Sequence, residues 1–186
     1  MIIGLTGKMA AGKGAAAEYL KSKGFKYYSC SDVLREELKN RGLTEDIPSL
    51  RKIGNKLRTK EGPGVLGKRL LAQIEKNQDQ PAIADSIRNP AEIAELKKAK
   101  TKFILMAVDA PLELRYERTV ARGRAGDKMT LAEFKEQDFK QLKSQDPNAQ
   151  QILDCFKLAD YTIVNDGTLV ELHQKIDEIL NDINNF

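Results

Sequence analysis

The sequence predicts an α/β fold of three layers, a five-stranded parallel sheet with helices on both faces. Three observations carry this expectation. Short apolar runs alternate along the chain with longer segments whose apolar residues recur at helical spacing. Runs such as Phe103 to Val108 are continuously apolar, as strands buried on both faces must be. The chain has 186 residues, 41% of them hydrophobic and 31% charged, enough to bury one continuous core. One domain over residues 1–186 is therefore expected.

Met1 to Thr6 is the first strand, Ala15 to Lys23 an alanine-rich helix, and Phe25 to Ser29 a second strand running into Cys30. Ser31 is expected to cap the next helix, with Asp32 in its first turn and Val33, Leu34 and Leu38 at helical spacing until Gly42. Helices follow at Pro48 to Lys60 and Val65 to Lys76, parted by Gly62-Pro63-Gly64, which no helix interior tolerates. The polar stretch Asn77 to Pro81 is a surface loop. Beyond it lie a third strand at Ala82 to Asp85, a helix at Ala91 to Lys100 and a fourth strand at Phe103 to Asp109. Pro111 opens another helix at its first turn. From Ala121 to Pro147 the chain turns charged and polar, with Leu131, Phe134, Phe139 and Leu142 as its apolar anchors, which predicts a weakly packed helical excursion. Tyr161 to Asn165 is the fifth strand, and Leu169 to Ile183 a closing amphipathic helix.

Composition excludes several mechanisms. Cys30 and Cys155 are too few and too far apart for a disulfide framework or a four-cysteine zinc site, and read as reduced thiols of a cytoplasmic protein. His173 is the sole imidazole, so a catalytic triad or a histidine metal site would have to be built on it alone; its helical context suggests a structural role. No secretory leader is read at the first residues, and no apolar run approaches the roughly 20 residues that cross a bilayer, so no membrane partner is expected. The net charge of +4 comes from 31 basic and 27 acidic residues, interleaved along the chain. With 6% aromatic residues and no Trp there is no platform for stacking bases, which speaks against nucleic acid as a partner.

The strongest chemical signal is Gly7-Lys8-Met9-Ala10-Ala11-Gly12-Lys13: a glycine, four residues, then Gly-Lys, placed between the first strand and the first helix. Glycines let successive backbone amides curl around a polyphosphate, the helix N-terminus adds its partial positive charge, and Lys13 reaches the terminal phosphates. The alternative is an ordinary glycine-rich strand-to-helix turn, against which stand the matching spacing, the strand before it and the alanine-rich helix after it. The hydroxyl residue that usually follows the lysine is replaced by Gly14, and Ala15 offers no substitute. Magnesium keeps several waters, so a carboxylate acting through water could hold it; Asp85 at the end of the third strand is the candidate.

Arginines form a second pattern. Arg35 lies one helical turn after Asp32, Arg58 and Arg69 flank the Gly-Pro-Gly break, Arg88 follows Asp85 by three residues, and Arg115, Arg118 and Arg122 share one helix face with Arg124 just beyond. Guanidinium forks bind phosphate oxygens bidentately. Arg35 and Arg88 stand out because they sit beside carboxylates at element ends, where such sheets bind ligands.

These segments resemble the nucleoside monophosphate kinases and their relatives: the phosphate loop, Ser31-Asp32-Val33-Leu34-Arg35, Asp85-Ser86-Ile87-Arg88, Arg115-Tyr116-Glu117-Arg118 with Arg122-Gly123-Arg124, and Ala159-Asp160-Tyr161 through Asn165-Asp166-Gly167. The nearest resemblance is to small dephospho-CoA-kinase-like and adenylate-kinase-like proteins, and Gly-Lys-Gly in this position resembles the loop of adenylate kinases. It spans nearly the whole chain. It implies a P-loop NTPase core, a helical acceptor-binding segment at residues 31–76 and a helical lid at 121–147, with ATP as donor and Mg2+ as cofactor. By the same resemblance Gly7 through Ala15 bind ATP, with Arg118, Arg124 and Gly167 completing its site. Asp32, Arg35, Arg58, Asp85 and Arg88 fall to the acceptor, and Lys13, Arg88, Arg118, Arg122 and Asp32 are the candidate catalytic set.

Three readings follow. A monophosphate acceptor is already ionised and needs cation clamps, such as Arg35 and Arg88, with no general base. A dephospho-CoA kinase phosphorylates a ribose hydroxyl and would use a carboxylate such as Asp32. Those kinases tend to carry two acidic residues one apart after the second strand, and Ser29-Cys30-Ser31-Asp32 supplies one, which favours the (deoxy)nucleoside monophosphate. The third is a nucleotide-binding regulatory or RNA-associated ATPase.

Overall fold

The structure, a computed structural model, describes residues 1–123 and 128–185. Five parallel strands form one sheet in the order β2-β3-β1-β4-β5: β1 (Ile2–Gly7), β2 (Lys26–Ser29), β3 (Ala82–Asp85), β4 (Phe103–Asp109) and β5 (Tyr161–Val164). The predicted three-layer α/β architecture is the observed one. The central strand β1 is flanked by β3, with Ile3 opposite Ile83, and by β4, with Ile3 opposite Ile104.

Side-chain alternation divides the core into two layers. Ile3, Leu5, Ile83, Met106, Val108 and Ile163 face α1 (Lys13–Ser22) and α9 (Leu169–Asn184), which contribute Ala16, Ala17, Leu20, Leu172, Ile176 and Ile183. Small alanines on α1 let that helix lie close to the sheet. His173 stacks on Tyr19 with ring centroids 3.9 Å apart, the structural role expected of it. On the opposite face, Ile2, Ala82, Ala84 and Leu105 meet α2 (Cys30–Asn40), α3 (Ile47–Glu61), α4 (Val65–Asn77), α5 (Pro90–Leu96) and α8 (Ile152–Lys157). Helix α4 reaches α5 through Gly67, where a Cβ would fall 2.4 Å from the Glu92 carbonyl oxygen. This close approach seats Glu92 beneath the loop that follows β3.

Two further helices complete the chain, α6 (Leu112–Arg122) and α7 (Leu131–Leu142). Several expectations are corrected. The cap of α2 is Ser29, whose hydroxyl accepts from the Ser31 amide, so the helix begins at Cys30. Pro111 is the cap residue of α6 and not its first helical residue. Helix α5 stops at Leu96. The short α8 was not anticipated. Helix α7 is better anchored than its polarity suggested: Phe134 is fully buried and touches Tyr116 edge-on, whereas Phe139 is exposed. Burial of one such ring contributes about 2–3 kcal/mol. Cys30 and Cys155 are buried free thiols, which burial pushes up in pKa and leaves inert. Among the described residues no helix is long and apolar enough to cross a membrane.

Candidate active site

Parallel strands deliver their C-terminal ends to one edge of the sheet, and the residues that follow them converge there. The loop after β1 turns tightly: the Ala11 amide donates to the Lys8 carbonyl at 3.2 Å, Ala10 adopts φ 58° and Gly12 φ 100°. Gly12 is required twice over, because a Cβ there would also lie 2.0 Å from Asn165 Nδ2. No side chain caps α1 among the described residues, so its first-turn amides are left for an anionic ligand.

The carbonyls of this loop are engaged from α6 and the end of β5. Met9 O accepts from Arg115 at 3.2 Å; Ala11 O accepts from Asn165 Nδ2 at 2.9 Å and from Arg118 at 3.5 Å. Arg118 also donates to Asn165 O at 3.0 Å. A loop that offers its amides to a ligand must satisfy its carbonyls elsewhere, and these three side chains do so. Lys8 turns to the end of β4, where its ammonium meets Asp109 at 2.8 Å.

Alternation along β3 puts Asp85 on the same face as Ile83, toward α1. There Lys13 Nζ lies 2.5 Å from Asp85 Oδ1, with the carboxylate 5% exposed. Tyr27 donates its hydroxyl to Asp85 Oδ2 at 2.7 Å. Burial first, then the Asp85 charge, pushes the Tyr27 phenol far up, so it remains a donor at physiological pH. Ser86 follows in a left-handed backbone, φ 63°, with its hydroxyl 3.4 Å from Lys13 Nζ.

A single carboxylate, held against the phosphate-loop lysine, suits a magnesium ion bound chiefly by phosphate oxygens and water. Among the described residues no group of three or more His, Cys, Asp or Glu forms an all-protein cage.

Arg88 lies half-buried at the same edge. Its guanidinium meets two neutral oxygens at long range, Gln141 Oε1 at 3.4 Å and Gln150 Oε1 at 3.3 Å. Burial lowers its pKa, against the raising effect of Asp85 and Glu92. The loop carrying Arg88 is fixed by the capping box of α5, in which Glu92 Oε2 accepts from the amides of Arg88 at 2.8 Å and Asn89 at 3.1 Å. Asn89 in turn donates to the carbonyls of Pro147 and Ala149.

Arg58 differs from the sequence expectation. It is buried, and its Nε and NH2 both donate to Glu92 Oε1, at 3.1 and 2.8 Å. This pair ties α3 to the Arg88 loop and commits the guanidinium to a carboxylate. Asp32 and Arg35 are exposed on α2 and pair at 2.6 Å, while Arg35 also meets Glu45 at 2.8 Å. Arg115 is likewise committed, bidentate to Asp138 of α7 at 2.7 and 2.8 Å with both side chains 3% exposed. Arg122 is exposed at the last residue of α6. Gly167 follows β5 beside Glu171, whose carboxylate closes the capping box of α9. Arg124 lies outside the described residues.

The structure thus brings Lys13, Asp85 and the loop residues together, with Arg118 and Asn165 clamped to the loop. Tyr27, Asp138 and Gln141 have no place in the sequence reading, and Ser86 and Asn165 enter it only inside the motifs Asp85-Ser86-Ile87-Arg88 and Asn165-Asp166-Gly167, with no role of their own. Tyr27 comes to Asp85 through the register that sets Ser29 opposite Asp85, which the sequence does not display.

Comparison with known proteins shows the family and the fold. Residues 3–141 match the family model AAA_18, described as an AAA domain. A UPF0200/UPF0201 protein of Archaeoglobus fulgidus is 32% identical over 182 residues; the match covers 96% of this chain and 54% of the relative, so the chain spans about half its length. A UPF0200 protein of Sulfurisphaera tokodaii is 34% identical over 179 residues, covering 96% of this chain and 95% of that one. The crystal structure of shikimate kinase from Aquifex aeolicus superposes with a TM-score of 0.56 at 19% identity, covering 99% and 98% of the two chains, a likeness of fold. A phosphate loop of this form implies nucleotide binding, and with its strand order and these relatives the chain belongs to the UPF0200 family of P-loop kinase-like proteins.

Proposed function

We propose that this protein transfers the γ-phosphoryl group of ATP to a small nucleotide acceptor, a (deoxy)nucleoside monophosphate. The observation that carries the reading is Arg88. Its buried companions Arg58 and Arg115 are each neutralised by a carboxylate, whereas Arg88 faces the amide oxygens of Gln141 and Gln150. A half-buried guanidinium whose hydrogen-bond partners among the described residues are neutral amides, with Asp85 and Glu92 acting on it only at a distance, is suited to an acceptor anion, and it stands on the same edge of the sheet as Lys13.

In this reading the amides at the start of α1 cradle the ATP phosphates, and Lys13 shares its ammonium between Asp85 and the transferring group. Magnesium, when bound with ATP, supplies neutralisation of the phosphate oxygens, and Asp85 is the residue that would hold its waters. Arg88 clamps the acceptor phosphate in line, so its ionised oxygen attacks without a general base. Residues 31–76 serve as the acceptor-binding segment and 121–147 as the lid, whose helix α7 places Gln141 between Met9 and Arg88. Arg118 and Arg122 would face the ATP phosphates, with Gly167 near the base. Asp32, the carboxylate that the competing dephospho-CoA reading would use, is paired with Arg35.

Two variants test the proposal. Lys13→Ala is expected to abolish ATP binding by calorimetry. Arg88→Ala is expected to keep ATP affinity while turnover falls by about 10²-fold or more, the usual cost of losing one charge-stabilising donor. Collapse of ATP affinity in the Arg88 variant would place that arginine in the donor site and refute the assignment.

A further inference from the structure

We propose that Ser86 supplies, from the end of β3, the hydroxyl that the phosphate loop lacks at Gly14, directed at the magnesium ion that accompanies ATP. The inference rests on the phosphoryl-transfer reading. Lys13 is followed by glycine and three alanines, so α1 offers no hydroxyl to the phosphates or their cation. Ser86 Oγ lies 3.4 Å from Lys13 Nζ and 3.4 Å from Asp85 Oδ2. Both contacts are at the outer limit of a hydrogen bond, so the hydroxyl is held beside the ammonium and the carboxylate without being spent on either.

The backbone supplies the second argument. Ser86 has φ 63°, a conformation in which an L-residue is strained and glycine is not. At 8% exposure its hydroxyl gains little from solvent. A serine held in a glycine conformation at the mouth of a phosphate site points to a use for its side chain. A hydroxyl oxygen is a suitable hard donor for magnesium, directly or through one of its waters. Asp85 and Ser86 would then provide, on consecutive residues, the carboxylate and hydroxyl oxygens of the cation site.

The test sets stability against cation affinity. Ser86→Gly relieves the backbone and should raise Tm by about 2 °C. It should also weaken binding of Mn2+ to the protein–ATP-analogue complex, measured by electron paramagnetic resonance, by about tenfold. A merely structural serine would shift the first quantity alone. Gly14→Ser provides the rescue: among the described residues nothing lies within 4 Å of a Cβ at position 14, so a serine fits there. The double variant Gly14→Ser, Ser86→Gly should recover Mn2+ affinity. Unchanged Mn2+ affinity in Ser86→Gly, or a fall in its Tm, overturns the inference. Intact ATP binding in Lys13→Ala instead refutes the reading beneath it, so the two failures are distinct.

Discussion

Glu92→Ala removes the one carboxylate that holds three parts of the site together. Its side chain is fully buried and accepts four hydrogen bonds: two from Arg58 on α3 and two from the amides of Arg88 and Asn89. Without it, Arg58 is a buried cation at 3% exposure with its counter-ion gone. Breaking one side of a buried pair costs about 3–5 kcal/mol, because the remaining charge stays desolvated. At about 2–4 °C per kcal/mol for a chain of this size, Tm should fall by about 6–20 °C. Urea unfolding followed by circular dichroism checks the same quantity, as a lower midpoint with an unchanged slope. Replacing both partners, as in Arg58→Met with Glu92→Met, should recover the part of the loss that comes from the unpaired guanidinium, while the Arg88 and Asn89 amides still lack their acceptor. A Tm drop under about 2 °C for Glu92→Ala would refute the account of Arg58 as a structural cation and return it to the candidates for acceptor binding.

Two other predictions follow from the same contacts. Asp138→Asn takes the counter-charge from Arg115, whose guanidinium also holds the Met9 carbonyl. ATP affinity should drop and α7 should become more sensitive to limited proteolysis; a variant unchanged in both would uncouple α7 from the phosphate loop. Several carboxylates are held below their ordinary range and contribute to acid stability: Asp177 by the Tyr19 hydroxyl and then Lys23, Glu133 and Glu171 by the amides of Thr130 and Thr168, and Asp46 by the Ser49 amide. Their folded values lie below the unfolded ones, so their stabilisation is present above the unfolded range near pH 4 and lost as pH falls through the folded values. Tm should stay nearly level from pH 7 to about 5 and decline below about 4; a Tm that rises on acidification would contradict this.

What could be read in the sequence followed local rules. The strand at Ala82 to Asp85 and the one at Phe103 to Asp109 match the structure, because continuous apolar runs bounded by polar turns have few other solutions. The phosphate loop was legible because its chemistry depends on contiguous residues. Other features depend on partners far along the chain. Arg58 and Glu92 are 34 residues apart, Arg115 and Asp138 are 23 apart, and Tyr27 reaches Asp85 across 58. Nothing in the spacing of charges distinguishes a guanidinium that will be buried against a carboxylate from one that will face a ligand. The lid segment was read as weakly packed from its polarity, but its buried polar residues Asp138 and Gln141 hold α7 in place by paired hydrogen bonds, which hydrophobic patterning does not register. The short α8 has only Ile152 and Cys155 buried, too few positions to show a period.

In the proposed reaction Lys13 and Arg88 face the two reactants of one phosphoryl transfer. The most direct test is incubation of the protein with ATP, Mg2+ and a panel of ribo- and deoxyribonucleoside monophosphates beside dephospho-CoA, with products separated by chromatography. The account predicts ADP and a nucleoside diphosphate in equal amounts with at least one monophosphate. Phosphorylation of dephospho-CoA with no monophosphate converted above background would contradict it.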